Sequence, residues 1–566
     1  MLRVFLIQRH LTTGASRLCR QSHSGHVSLF RHYSASAKRE DPDIIVVGSG
    51  VAGVSASIAA AEQGASVVML DASHGGGATA MSGGVVYAGG GTEYQKAAGY
   101  GDDTPENMFR YLKEETKDAV DEQTLRDFCD GSVSRLKWME RHGARFEGSL
   151  CPYKTSYPTD EHYLYFSGNE TCYPYNKIAE PAPRGHRMAS PGLSGGALWQ
   201  PLFESATKLG VRVLPASKVE RILLNDRNAV GGVEFKHLEP STKAFRRHRS
   251  LTNLGKRLQL VIPNLAAKIL DRADTLWDRD TFPSRLNAPA VILAAGGFGF
   301  NPAMRQQYAP EFAKVAPLGT RGDDGSGIRL GQSVGGSVAK MENMSAWRFL
   351  YPPTALLEGV VVSQVGNRFI AEDIYGATMS DKMIRDHDNK AFLILDSVQW
   401  TKAKSQLSKQ TQSPLSLQRR HWLMWDHIKT SSIDDLAAKL DLPPDALHRT
   451  VVAYNDAIAR GEEDPMHKEA KYCTPILNPP FYGIDISSRV EGIQAVYGLT
   501  LGGLRVDGKS GLVLREDDSC ITGLYAAGRN AVGICSNGYV SGLSIADGVF
   551  SGMRAGEHAA KHCLVI

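Results

Sequence analysis

Four consecutive apolar residues, Ile44-Ile45-Val46-Val47, run directly into Gly48-Ser49-Gly50-Val51-Ala52-Gly53 and then into alanine-rich sequence. An unbroken apolar run bounded by glycine predicts a strand buried on both faces, and the small residues behind it predict a closely packed helix. The pattern recurs as Ser66-Val67-Val68-Met69-Leu70, closed by Asp71. Further on, residues 208–214 read as the end of a helix and the start of a strand, and 218–224 as another strand. Ala290-Val291-Ile292-Leu293-Ala294-Ala295-Gly296-Gly297 is a buried strand ending in glycines, and Gly523-Leu524-Tyr525-Ala526-Ala527-Gly528 repeats that form much later. Strands alternating with helices predict a doubly wound α/β sheet. Two such strands so far apart predict a discontinuous domain, 41–321 and 482–566, interrupted by an α+β unit at 322–481 with a helix from Pro443 to Arg460.

One stretch leaves this plan. Residues 237–287 interleave Arg246-Arg247-His248-Arg249, Lys256-Arg257 and Lys268 with Leu251, Leu254, Leu258, Ile262, Leu265, Ile269 and Leu270. Basic and bulky apolar positions at helical spacing suit peripheral contact with an anionic membrane face; they suit equally an amphipathic helix packed on its own protein or on a second subunit.

The chemistry begins at the glycine turn. Gly48 permits the tight turn, Gly50 lets a pyrophosphate approach the backbone, and Gly53 lets the helix pack against the sheet. The helix N-terminus around Val51 and Ala52 then presents free N–H groups and a positive dipole end to phosphates. Asp71 stands where an acid accepts hydrogen bonds from an adenosine ribose. Strand, turn, helix and acid together predict a dinucleotide site. The eight cysteines show neither CxxC nor zinc spacing, so no metal site is expected.

Composition adds little except at the start of the chain. Hydrophobic content of 42% and charged content of 22% are those of a globular protein. Met1 to Arg39 contains no acidic residue and carries Arg3, Arg9, Arg17, Arg20, Arg31 and Lys38 among many Ser and Thr. That composition predicts a mitochondrial transit peptide over 1–40, with Arg31-His32-Tyr33-Ser34 suiting cleavage after Tyr33; the alternatives are a secretory or membrane-anchoring segment at Val4-Phe5-Leu6-Ile7, which is short for that role, and a plain basic tail. Removing the five arginines of residues 1–33 takes the formal charge from +4 to −1, so the overall basicity implies no nucleic acid partner.

A second glycine block, Gly75-Gly76-Gly77-Ala78-Thr79-Ala80-Met81-Ser82-Gly83-Gly84, resembles a segment of the flavoprotein family that includes fumarate reductases and 3-ketosteroid dehydrogenases. Further markers are Asp324-Gly325-Ser326-Gly327, Gly366-Asn367-Arg368-Phe369-Ile370-Ala371-Glu372 and Leu501-Gly502-Gly503-Leu504. The resemblance implies a Rossmann-like FAD-binding domain and a capping domain over the flavin. It implies FAD contacts from Gly48, Gly50, Val51, Ala52, Gly53, Asp71, Ala72, Ala78, Thr79, Ser82, Gly83, Gly84, Val219, Ala295, Gly296, Asp324, Gly528, Leu543, Ser544 and Ile545. It also implies non-covalent FAD, because no histidine lies in 78–84, where relatives attach it.

Departures from the family choose the branch. Leu499 stands where fumarate reductases carry a histidine, and Gly376 lies nearest the place of their arginine acid. A dicarboxylate needs such cations; a neutral ketone does not. Ser536-Asn537-Gly538-Tyr539-Val540-Ser541-Gly542 resembles ketosteroid dehydrogenases, most closely those acting on 5α-reduced 3-ketosteroids at C4–C5. The resemblance implies dehydrogenation of a steroid or terpenoid ketone, with the electron acceptor left open. Tyr539 and Ser541 are expected to relay the proton, with Tyr375 nearby, and a tyrosine hydroxyl with the Gly542–Leu543 N–H groups to polarise the carbonyl. Tyr153, Tyr157, Tyr163, Tyr165 and His186 are further candidates. The alternative is a reductase running the same chemistry backwards on an enone or unsaturated acid.

Overall fold

A computed structural model describes residues 41–259, 262–413 and 415–564. The expected targeting segment falls outside the described residues. Strands β1 (Ile44–Val47), β2 (Val67–Leu70), β3 (Arg212–Leu214), β4 (Ala290–Leu293), β5 (Leu512–Leu514) and β6 (Cys520–Ala526) make a six-stranded sheet in the order β5-β6-β4-β1-β2-β3. All neighbours pair in parallel except β5, which runs antiparallel along β6 at one edge. β1, β2 and β4 are buried at every position, which accounts for their unbroken apolar runs.

Four helices matter for the site: α1 (Val51–Glu62), α2 (Lys243–Leu258), α3 (Pro263–Asp280) and α4 (Leu543–Leu564). α1 and α4 lie against each other with little between their backbones. A Cβ on Gly552 would stand 2.3 Å from the Ala52 carbonyl oxygen, and one on Gly556 2.2 Å from that of Ala56. The glycines of the last helix thus bring it against the helix that starts the dinucleotide fold.

The basic insertion forms a hairpin of α2 and α3 between two strands of a three-stranded antiparallel sheet, Ser217–Leu224, Val230–His237 and Phe282–Asn287. One face packs on the protein itself through Phe245, His248, Thr252 and Gly255 of α2 and Ile269, Leu270 and Leu276 of α3. Leu254, Ile262 and Leu265 stay exposed beside Arg246, Arg247 and Arg257.

The inserted unit is built on a four-stranded antiparallel sheet in the order Val360–Val362, Phe392–Leu395, Phe481–Asp485, Ile428–Thr430. Its helix spans Pro444–Ala459, flanked by Pro443 and Arg460. The seam differs from the 322–481 reading at both ends. Leu330, Val334 and Val338 pack with the core beneath the main sheet, and strand Phe481–Asp485 belongs to the inserted sheet. These apolar segments are too short to reveal which core they join. A separate sheet, Ala316–Pro317, Tyr497–Thr500 and Met344–Trp347, ties the two units together.

The Arg368–Glu372 segment proves to be an anchor within the inserted unit. The Glu372 carboxylate accepts from Arg368 Nη2 (2.8 Å), from the Val361 N–H (2.7 Å) and from Lys468 Nζ (3.2 Å), and Arg368 also pairs with Asp464 (2.6 Å). These groups are buried or nearly so.

Candidate functional site

The cleft for a dinucleotide opens at the carboxyl ends of the parallel strands, where such folds bind ligands. Gly48 has φ +104°, and a Cβ there would stand 2.4 Å from the Ala294 carbonyl oxygen; one on Gly53 would stand 1.9 Å from that of Gly48. Around Gly50 the space is open, with Thr79 Oγ1 at 3.6 Å from a would-be Cβ the nearest atom. Thr79 Oγ1 accepts from the Val51 N–H at 3.1 Å, so the second glycine block sits against the start of α1. Ala72, Ala78 and Ser82–Gly84 follow along the same rim, and Ser82 Oγ donates to the Thr79 carbonyl (2.8 Å). Asp71 is buried at the end of β2. Its carboxylate accepts from Ser49 Oγ (2.5 Å) and from the N–H groups of Ser49, Ser73 and Gly75. Burial would raise this carboxyl, but Lys256 and these hydrogen bonds hold it below the usual range. Val219 lies in the strand that begins where the Ser217 N–H meets the Asp71 carbonyl (2.8 Å).

The opposite wall comes from 295–297, 323–326 and 528–530. Asp324 pairs with Lys218 at 2.9 Å and accepts from the Ser326 N–H. Asp323, absent from the expected set, does more here. It accepts from the N–H groups of Gly297 and Thr320 and from Arg529 Nη2 (2.6 Å). Arg529 and Asn530 follow Gly528 directly, and Asn530 Oδ1 accepts from the Ala295 N–H. Arg529 Nη1 and Asn530 Nδ2 are buried with no hydrogen-bond partner among the described residues. Unsatisfied buried donors are rare, and two beside the Ala295–Gly297 turn fit a ligand rich in acceptors. Leu543, Ser544 and Ile545 form the first turn of α4. The Leu543 N–H donates to the Val540 carbonyl (3.1 Å), so turn closure takes it and it does not polarise a ketone.

Above the cleft stands an aromatic cluster. Trp347 lies 5.3 Å from Tyr539, Trp347 stacks on Phe349, and Phe349 meets Tyr375 edge-on at 5.5 Å. Ser541 Oγ is hydrogen-bonded to Tyr165 Oη at 2.9 Å, which brings one residue of the aromatic loop into the site. Burial raises the phenols of Tyr375, Tyr539 and Tyr165 well above the ordinary value. At Tyr539 the Arg529 charge and a hydrogen bond from the Gly542 backbone work against that rise. Leu499 and Leu501 share the apolar cluster with Tyr375 and Tyr539. No histidine or arginine takes the places of Leu499 and Gly376. Arg348, between Trp347 and Phe349 in sequence, points the other way and donates to the carbonyls of Ser487 and Gln494 at 2.8 Å.

The remaining candidates take structural posts. Tyr157 Oη lies 2.8 Å from the carbonyls of both Gly83 and Gly192, sharing its one proton between them, and accepts from Arg187. Tyr163 lies under the Arg187 guanidinium, and half-buried Tyr153 packs beside Cys151. His186 is fully buried, bonded to Thr92 Oγ1 at 2.9 Å, and burial lowers it to about 4.

One link between the domains was invisible in the sequence. Asn169 Oδ1 accepts from the Tyr375 N–H at 2.7 Å, while its Nδ2 donates to Thr378 Oγ1 and to Glu115 Oε2, both at 3.0 Å. Burial pushes the Glu115 carboxyl from its ordinary 4.5 up to about 7. The folded protein therefore holds this proton more tightly than the unfolded chain. Its stabilising effect is complete below about pH 4.5 and is lost as pH rises through about 7, on the order of 3 kcal/mol. Glu115→Gln should flatten that part of the stability profile between pH 5 and 8 in urea melts; an unchanged slope would show that Glu115 carries none of it.

Comparison with known proteins places this geometry. The model of the FAD binding domain matches residues 43–542. A 3-oxo-5-alpha-steroid 4-dehydrogenase of Comamonas testosteroni is 36% identical over 506 residues, covering 86% of this chain and 92% of that protein. The crystal structure of a 3-ketosteroid-delta4-(5alpha)-dehydrogenase from Rhodococcus jostii RHA1, in complex with 4-androstene-3,17-dione, superposes with a TM-score of 0.76. It is 31% identical and covers 93% of this chain and 98% of its own. The open form of a flavocytochrome c3 fumarate reductase shares the fold, with a TM-score of 0.61 at 23% identity, covering 93% and 79%.

Proposed function

Because this chain belongs to the FAD-binding-domain family of flavoenzymes, we propose that it is an FAD-dependent dehydrogenase of a 3-ketosteroid or related terpenoid ketone. It would introduce a C=C bond beside the ketone. The observation that carries this reading is the wall of Trp347, Phe349, Tyr375 and Tyr539, with Leu499 beside it, where an acid reductase would need cations. Such a wall suits a rigid apolar ring system carrying one carbonyl.

Gly48–Gly53, Asp71, Thr79, Arg529 and Asn530 would hold FAD, which when bound supplies the hydride acceptor. The protein's own part is proton chemistry. Tyr539 would take the α-proton while handing on its own, because burial and then Cys535 keep its phenol protonated and Arg529 and Gly542 offset them only in part. The proton handed on needs an exit. Ser541, two residues along the same loop and bonded to Tyr165, offers one. Tyr375, whose backbone N–H is held by Asn169, would donate its hydroxyl proton to the ketone oxygen. A donor of this kind is worth about 3 kcal/mol of barrier.

Anaerobic titration of the yellow protein with a 5α-3-ketosteroid should bleach the flavin and yield a product two hydrogens lighter. No bleaching by the steroid, together with reoxidation of the reduced flavin by fumarate, would instead support the reductase.

A further inference from the structure

The α2–α3 hairpin touches both borders of the nucleotide cleft. On the first border, Lys256 of α2 faces the Asp71 carboxylate and donates to the Gly75 carbonyl at 3.3 Å. About two turns back along α2, His248 Nδ1 meets His74 Nε2 at 2.9 Å, and Phe245 packs edge-on against His74 at 5.1 Å. On the second border, Gln259 Nε2 donates to the Gly319 carbonyl at 3.1 Å. Arg321, two residues on, reaches back to Asp271 (2.8 Å), Asp274 (2.7 Å) and the Ala267 carbonyl (3.1 Å) of α3. A Cβ on Gly319 would lie 3.6 Å from the Ala78 side chain, so the two borders approach each other beneath the hairpin.

We infer that this hairpin is a strap across the adenosine-ribose end of the FAD site, and that Lys256 is its cofactor-side residue. The inference rests on FAD occupying the Asp71 end of the cleft. Its physical basis is charge and placement. Asp71 is buried with four hydrogen bonds that favour its ionised form, and Lys256 is the cation facing it. Lys256 lies in the last turn of α2, where a cation also meets the negative end of the helix. Losing it leaves a buried carboxylate less compensated at the point where ribose hydroxyls dock. Gln259 and Arg321 tie the far side, so a nucleotide cannot leave at this end without those contacts opening.

The test is the rate of FAD release from the purified holoprotein, followed by flavin fluorescence after dilution, and FAD rebinding to the stripped protein. Lys256→Met should speed release at least tenfold and weaken rebinding to match. Gln259→Ala, which removes one hydrogen bond from a half-buried side chain, should speed it about threefold. Arg247→Ala, on the exposed face, should release FAD at the wild-type rate. Wild-type release from both Lys256→Met and Gln259→Ala would overturn the strap, as would equal acceleration in Arg247→Ala. If Lys256→Met does not fold, Gln259→Ala against Arg247→Ala decides the question. A wild-type protein that binds no FAD would defeat the cofactor assignment instead, a result distinct from all of these.

Discussion

Replacing Tyr539 by Phe should lower steroid-dependent flavin reduction by about 100- to 10,000-fold while FAD stays bound. The size follows from what is removed. The substitution deletes one oxygen and leaves the ring packed against Trp347, so folding is little disturbed. The lost oxygen is the one that would pass the α-proton on towards Ser541, with Arg529 and Gly542 offsetting part of the burial that keeps it protonated. Ser541→Ala should fall less, because Tyr165 and Tyr539 remain, and its loss should be greatest at low pH, where proton exit limits the rate. Single-turnover reduction in a stopped-flow spectrophotometer checks both. Wild-type reduction rates in Tyr539→Phe would remove the phenol from the mechanism.

The second large effect concerns stability. Glu372→Ala should destabilise the protein by about 3–5 kcal/mol, the usual consequence of deleting one partner from a buried charge set. Arg368 would then keep only Asp464, Lys468 would keep only the Gly359 carbonyl and the Tyr454 hydroxyl, and the Val361 N–H would lose its acceptor in the inserted sheet. Asp373, Ile374 and Tyr375 follow Glu372 directly, so catalysis should fall too, even in protein that remains folded. Glu372→Gln keeps the shape and the backbone contact and should lose less. Chemical denaturation reads the difference; an Ala variant within 1 kcal/mol of wild type would mean that water repairs the network.

What was legible in the chain was whatever depends on neighbours in sequence. The buried strand Ile44–Val47, the turn at Gly48–Gly53 and the acid at Asp71 declare themselves within thirty residues, because each is set by local sterics or by burial of the strand on both faces. Leu499 and Gly376 were informative for a similar reason: a missing cation is visible without a structure. The rest needed three dimensions. Asn169 contacts Tyr375 across 206 positions, Ser541 contacts Tyr165 across 376, and Arg529 contacts Asp323 across 206. No periodicity encodes such pairs. The basic hairpin shows the other limit. Its amphipathic pattern announced a buried face but not whose surface it covers, and the answer came from His74, Gly75 and Gly319, far from it in sequence.

The central sheet is closed by the end of the chain. β6 inserts beside β4, the Ala527 N–H meets the Leu293 carbonyl, and α4 lies along α1 through Gly552 and Gly556. During synthesis the first half of the nucleotide cleft must therefore wait, with one strand edge and one helix face uncovered, until β6 and α4 have left the ribosome. Cofactor loading is then expected only after β6 and α4 have docked. A chain halted before β6 should emerge colourless; a yellow one would show that the N-terminal portion closes by itself.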